Sequence, residues 1–144
     1  MNKLIIGALE SCDLPELGIH DLKIRVDTGA KTSSLHVDNI SSIKVKGKPW
    51  VRFDLHPDFY NLNSFIECKT RIHDIRWIKS SNGERQQRYV IKTHIKMGDL
   101  SWPIEITLTD RSDMTYLMLL GREAMGDRVL VDPSQNFLLS TDEL

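Results

Sequence analysis

The stretch VDTGAKTSSLH, residues 26–36, begins where an alternating segment ends: Leu22, Ile24 and Val26 are separated by Lys23 and Arg25. A period of two with apolar residues on one face is the signature of a half-buried strand. Asp27 therefore emerges at the strand's end, followed by Thr28, whose hydroxyl can bond a neighbouring backbone, and by Gly29, which permits close approach of another segment or a ligand. Taken alone, Asp-Thr-Gly is also an ordinary turn, since all three residue types favour turns. The rest of the chain has to decide between a turn and a placed carboxylate.

A chain of 144 residues fits one domain, here residues 1–144, and buries about two-thirds of the surface it exposes when unfolded. Nineteen basic and 20 acidic residues leave a net charge of -1, which gives no general attraction to nucleic acid or to membranes. Cys12 and Cys68 make no metal pattern and at most one disulfide, so a reduced setting is the simpler expectation. The apolar run LIIGAL is too short for a signal core or a membrane span, and the final TDEL reads as a solvated end; both point to the cytoplasm.

Six segments read as strands: KLIIGAL, DLKIRV, PWVRFDL, RIHDIRWI, RYVIKTHIKM and WPIEITLT. Turn-rich words separate them, and only GREAMGD, residues 121–127, reads as helical. The pattern predicts an all-β domain, a closed or nearly closed barrel. A second informative stretch is YLMLLGREAM, residues 116–125, where the apolar run Leu117 to Leu120 meets Gly121 and Arg122. An apolar strand ending in a glycine loop thus occurs twice. Two such elements can cross, each glycine letting the chains pass, and so hold the Asp27 carboxylate at the base of a cleft.

With these words in order (VDTGAKTSSLH, VRF, KSSNGE, TLTDRSDM, LLGRE, VDPS), the chain resembles the retropepsin-like aspartic proteases, and among them a bacterial and archaeal family long labelled "ATP-dependent zinc protease". The resemblance implies a retropepsin-like β-barrel with one short helix in its C-terminal half. It implies that Asp27 is the catalytic aspartate, with Thr28 and Gly29 completing its loop, and that Leu119, Leu120, Gly121 and Arg122 form the junction beneath. That chemistry needs two carboxylates: one ionised to deprotonate water, one protonated to donate to the scissile carbonyl. Like charges so close cannot both ionise, and the pair titrates as a unit. One Asp-Thr-Gly per chain implies a homodimer with Asp27 beside its own mate, the terminal strands KLIIGAL and NFLLS being candidates for its interface. Ala30 cannot donate the hydroxyl bond that Ser or Thr gives after the glycine in pepsin-type enzymes, so a dyad working nearer neutral pH is expected.

The hairpin IRWIKSSNGERQQRYVI, turned by Asn82-Gly83, occupies the place of the flap over the site. With Ala30 and Lys31 after the loop, its Ser81, Asn82, Gly83, Glu84, Arg85 and Arg88 are the expected substrate-binding residues. Arg76, Lys79, Arg85, Arg88 and Lys31 make the approach basic, so acidic, extended substrates such as glutamate-rich tails are expected. Lys31 stands where retroviral enzymes carry an acid, which removes the expected partner of Arg122, and residues 37–70 exceed what a minimal retropepsin needs. No zinc motif unites His20, His36, His56, His73 and His94, although His36 and Asp38 could ligate a metal; no phosphate-binding loop is present. No cofactor is expected. The alternatives to an endopeptidase are a non-catalytic retropepsin-fold module regulating an ATP-grasp glutamate ligase or its substrate, and a metallopeptidase.

Overall fold

The computed structural model describes residues 3–57, 64–79, 82–110 and 115–139. Its strands, in chain order, are β1 (Leu4–Gly7), β2 (Leu9–Leu14), β3 (Ile19–Val26), β4 (Ser33–His36), β5 (Asp38–Val45), β6 (Lys48–Leu55), β7 (Ile66–Arg71), β8 (Asp74–Lys79), β9 (Arg85–Met97), β10 (Leu100–Thr109), β11 (Met118–Leu120) and β12 (Val129–Asp132). A 3₁₀ turn at Pro15–Leu17 and helix α1 (Arg122–Met125) complete the described elements. No described helix is long and apolar enough to cross a membrane.

Six strands close into a barrel in the order β10-β4-β11-β3-β2-β9, with β9 pairing back to β10. Closure removes the free edges that an open sheet would expose. Alternation fills the interior: Ile24 from β3, Leu35 from β4, Ile91 and Ile95 from β9, Ile106 from β10, and Met118 and Leu120 from β11 are all fully buried. Each such side chain contributes about 1.5–3 kcal/mol relative to exposure. Trp102 is buried beside α1 and donates its indole N–H to the Ala124 carbonyl at 2.8 Å, so the short helix is tied down by tertiary contacts.

Two expected strands prove to be two elements each. KLIIGAL divides at Ala8, because β1 joins β12 in a parallel ribbon while β2 enters the barrel against β3. The division is held by Ala8 N–H donating to the Gln135 carbonyl at 2.8 Å; a Cβ on Gly7 would stand 2.4 Å from that same oxygen. RIHDIRWI divides at Ile72 and His73, whose N–H groups donate to Pro49 O and Val90 O respectively, handing the chain from one sheet to another. Residues 37–70 supply β5, β6 and most of β7, a separate three-stranded antiparallel sheet. Of these, only β6 reads clearly as a strand in sequence, with Val51, Phe53 and Leu55 fully buried on its inner face. Of NFLLS, the described residues 136–139 form no strand and turn back, with Phe137 at a positive φ of 56°. That turn is secured by Glu10, a fully buried carboxylate that accepts N–H bonds from Gly7, Leu138 and Leu139 at 2.8, 2.8 and 3.2 Å.

β9 is long enough to serve two purposes. From Val90 to Met97 it pairs with β10 in the barrel, whereas Arg85 to Val90 pairs with β8. The β8–β9 hairpin is therefore an extension of the barrel wall, and its last described pair is Lys79 opposite Arg85. Gly83 has φ +88°, and Asn82 Oδ1 accepts the Glu84 N–H at 3.1 Å, a side-chain brace across the described part of the turn.

Candidate active site

Asp27 continues the β3–β11 ladder by one residue: its N–H donates to the Leu120 carbonyl at 2.9 Å. The chain then turns sharply. Gly29 N–H donates to Asp27 Oδ1 at 3.0 Å and holds the half-buried carboxylate, while Ala30 N–H donates to the Asp27 carbonyl at 3.2 Å and closes the turn. Thr28 is exposed at the loop's tip.

Beneath the loop, Gly121 crosses the chain at Thr32. A Cβ there would lie 2.6 Å from both the carbonyl carbon and the oxygen of Thr32, closer than real Cβ contacts come. The crossing is bonded as well as close: Gly121 N–H donates to Ser33 Oγ at 2.9 Å, Arg122 N–H to Ala30 O at 2.9 Å and Glu123 N–H to Lys31 O at 3.1 Å. The expectation of two permissive glycines is corrected here. Only Gly121 meets another segment; the nearest atom to a Cβ on Gly29 is the carboxylate of its own loop, at 3.3 Å. Arg122 finds a partner despite Lys31. Its Nη1 donates to the carbonyls of Thr28 and Gly29 at 3.4 and 3.2 Å, so backbone oxygens of the aspartate loop take the place of a side-chain acid.

A groove of about 1020 Å³ runs between this loop and the β8–β9 hairpin. Of the expected substrate-binding residues, Ala30, Lys31 and Arg88 wall it together with Gly29, whereas Asn82, Gly83, Glu84 and Arg85 do not; Ser81 lies outside the described residues. Asp27 and Thr28 border this wall without lining it. Arg85 instead lies 5.4 Å over the Trp77 ring. Arg88 is buried at the groove floor, with Nη1 donating to Ser34 Oγ and Thr107 Oγ1 at 3.3 and 3.4 Å and Nε to Gln86 Oε1 at 3.0 Å.

Arg76 is engaged at the hairpin root. It contacts Asp74 at 2.7 Å and Glu105 of β10 at 2.8 Å, and Glu105 also meets His73 at 3.2 Å. The hydrogen bond from Arg76 holds both carboxyls below the usual carboxylate range. Carboxyls depressed in the folded state stabilise it above their unfolded pKa, and that contribution is lost as pH falls through the folded value. Protection of the β8 amides, corrected for intrinsic exchange, is accordingly expected to fall selectively below about pH 4. Uniform loss across the barrel would refute a pin at the hairpin root.

Sequence reading missed Arg25 as a groove residue, although a signal was available. Arg25 and Asp27 share parity along β3, and Arg25 walls the groove beside Leu119, its register partner on β11. The histidines disperse. Asp38 pairs with His56 at 3.2 Å, and His20 and His94 lie beside Asp13 and Glu16. Among the described residues, no group of three or more His, Cys, Asp or Glu is arranged to hold a metal. Both cysteines are buried free thiols, and burial pushes Cys68 up to about 11 and Cys12 further still, so neither is a thiolate nucleophile near neutral pH.

A family model described as "Retropepsin-like aspartic endopeptidase RimB" matches residues 5–142. A probable alpha-L-glutamate ligase of Shewanella pealeana is 51% identical over 138 residues, covering 96% of this chain but 30% of the relative. One of Desulfotalea psychrophila is 46% identical over 132 residues, with shares of 92% and 28%. The chain thus spans less than a third of the length of these curated relatives. The crystal structure of Lpg0085 of Legionella pneumophila, a protein described as of unknown function, superimposes with a TM-score of 0.79 at 31% identity over 96% of this chain and all of that one. With the crossing at Gly121 and the Asp27 loop above it, these likenesses settle the relationship: the chain belongs to the RimB-like family of retropepsin-like proteins.

Proposed function

We infer that the chain is half of a two-fold aspartic endopeptidase that hydrolyses peptide bonds through water activated between two Asp27 carboxylates. The observation that carries this reading is the Asp27 loop itself: a carboxylate at the end of a barrel strand, held by the Gly29 amide in a loop whose carbonyls Arg122 braces, above a bonded backbone crossing and beside a groove. One carboxylate cannot be both base and acid in a single step. Two sharing a proton can: the ionised member takes a proton from water, the water oxygen attacks the carbonyl carbon, and the protonated member donates to the developing oxyanion.

The outer face of the terminal ribbon supports dimerisation. Ile5 and Leu130 are register partners and each is 53% exposed. A two-stranded parallel ribbon is marginal alone, and parallel pairs ordinarily have both faces covered. The ribbon also adjoins the site, since Ala8, which follows β1, accepts the Val26 N–H at 2.9 Å. A two-fold axis nearby would cover the apolar pair, bring the Asp27 loops together and give the exposed Thr28 hydroxyl a partner. Glutamate-rich protein tails are the proposed substrates, in keeping with the basic groove wall and with relatives named as probable glutamate ligases. An ATP-grasp glutamate ligase is the proposed partner.

One observation favours a second reading. The relatives carry the matched region as 30% or less of a polypeptide named as a ligase, which suits a non-catalytic module serving that ligase. Incubation with glutamate-rich and glutamine-rich peptides, with and without a chelator, separates the possibilities. Cleavage of the acidic peptide unaffected by chelation is expected. No cleavage favours the module, and chelator-sensitive cleavage restored by zinc favours a metallopeptidase.

A further inference from the structure

We propose that Arg25 is a specificity-determining residue, reading the side-chain carboxylate of the substrate residue that adjoins the cleaved bond; this rests on the endopeptidase reading above. Strand geometry places it there. Residues two apart on a strand share a face about 6.6 Å apart, so Arg25 and Asp27 stand side by side at the end of β3. Arg25 is exposed, walls the groove, and has the half-buried Leu119 as its β11 neighbour, an apolar rest for its stem. The other groove cations differ in what already holds them. Arg76 is spent on Asp74 and Glu105, and Arg88 is oriented by Gln86, Ser34 and Thr107 on the floor. Lys31 and Lys79 are exposed groove residues on other segments. Among the described residues no carboxylate pairs with Arg25, so its planar fork is available to grip a carboxylate through two parallel bonds. A glutamate flanking the bond under attack fits this spacing: its backbone carbonyl lies over Asp27 while its side chain extends toward the guanidinium.

The test uses the full chain carrying Asp27→Asn, so that binding is read without turnover. Two C-terminally amidated peptides are compared by calorimetry, identical except for glutamate or glutamine at one central position; amidation removes the terminal carboxylate as a competing source of charge. Adding Arg25→Gln is expected to weaken the glutamate peptide about tenfold or more while leaving the glutamine peptide within about twofold, and Arg25→Lys to recover part of the loss. Equal weakening of both peptides, no weakening of either, or no binding of the glutamate peptide overturns the assignment. Should the unsubstituted chain leave both peptides intact while Arg25-dependent selectivity persists, the hydrolytic reading falls and the subsite stands.

Discussion

Asp27→Asn is expected to abolish cleavage, lowering the rate by about a thousandfold or more, while leaving the barrel folded. General acid–base groups contribute about 10²–10⁴ each, and this substitution removes an ionisable oxygen from both halves of the dyad. The shape survives, because asparagine retains a side-chain oxygen to accept the Gly29 N–H, and the backbone bonds of residue 27 to Leu120 and Ala30 are untouched. Unchanged thermal unfolding with lost cleavage is the expected pair of results. Undiminished cleavage would place the chemistry elsewhere, and no cleavage by the unsubstituted chain, together with regulation of a ligase that survives the substitution, would identify the module.

Gly121→Ala is expected to damage fold and site together. The added methyl would meet Thr32 at 2.6 Å, where the obstructing atoms are backbone and cannot swing aside as a side chain could. Overpacking of this kind costs about 1–3 kcal/mol, occasionally more, and a backbone-to-backbone clash belongs at the upper end. For a chain of this size the melting temperature should fall on the order of 10 °C. Relief requires the crossing segments to separate, which breaks the Arg122–Ala30 and Glu123–Lys31 backbone bonds and shifts the Asp27 loop. Amide chemical shifts at residues 27–31 should therefore move even below the melting temperature. A stable variant with an undisturbed loop would mean that the crossing does not set the site.

The parts of this architecture legible in sequence are those written locally. Strand parity through Leu22, Ile24 and Val26 exposes Asp27 at a strand end, and the glycine after Leu120 marks the crossing, because each is fixed by a few adjacent residues. Pairings between distant segments are not written that way. Nothing in KLIIGAL announces that Leu4 will lie opposite Val129 while Leu9 lies opposite Arg25. RIHDIRWI likewise reads as one strand, because the break at Ile72–His73 is made by acceptors at Pro49 and Val90 rather than by any turn residue. β5 escaped because DNISSIKV has little apolar face to read. Arg25 was readable by parity with Asp27, yet its alternation with Ile24 and Val26 looked like an ordinary solvated strand face. The partner of Arg122 was invisible because it is a pair of backbone carbonyls.

The most direct test of a site shared between two chains is subunit mixing. Unsubstituted chain and Asp27→Asn chain are combined at fixed total concentration, allowed to exchange, and assayed on a glutamate-rich peptide. If each site needs one Asp27 from each subunit, activity falls as the square of the unsubstituted fraction, so that an equal mixture retains about a quarter. Activity falling in direct proportion to that fraction, with half retained in the equal mixture, would show that each chain works alone and would contradict the paired-aspartate account.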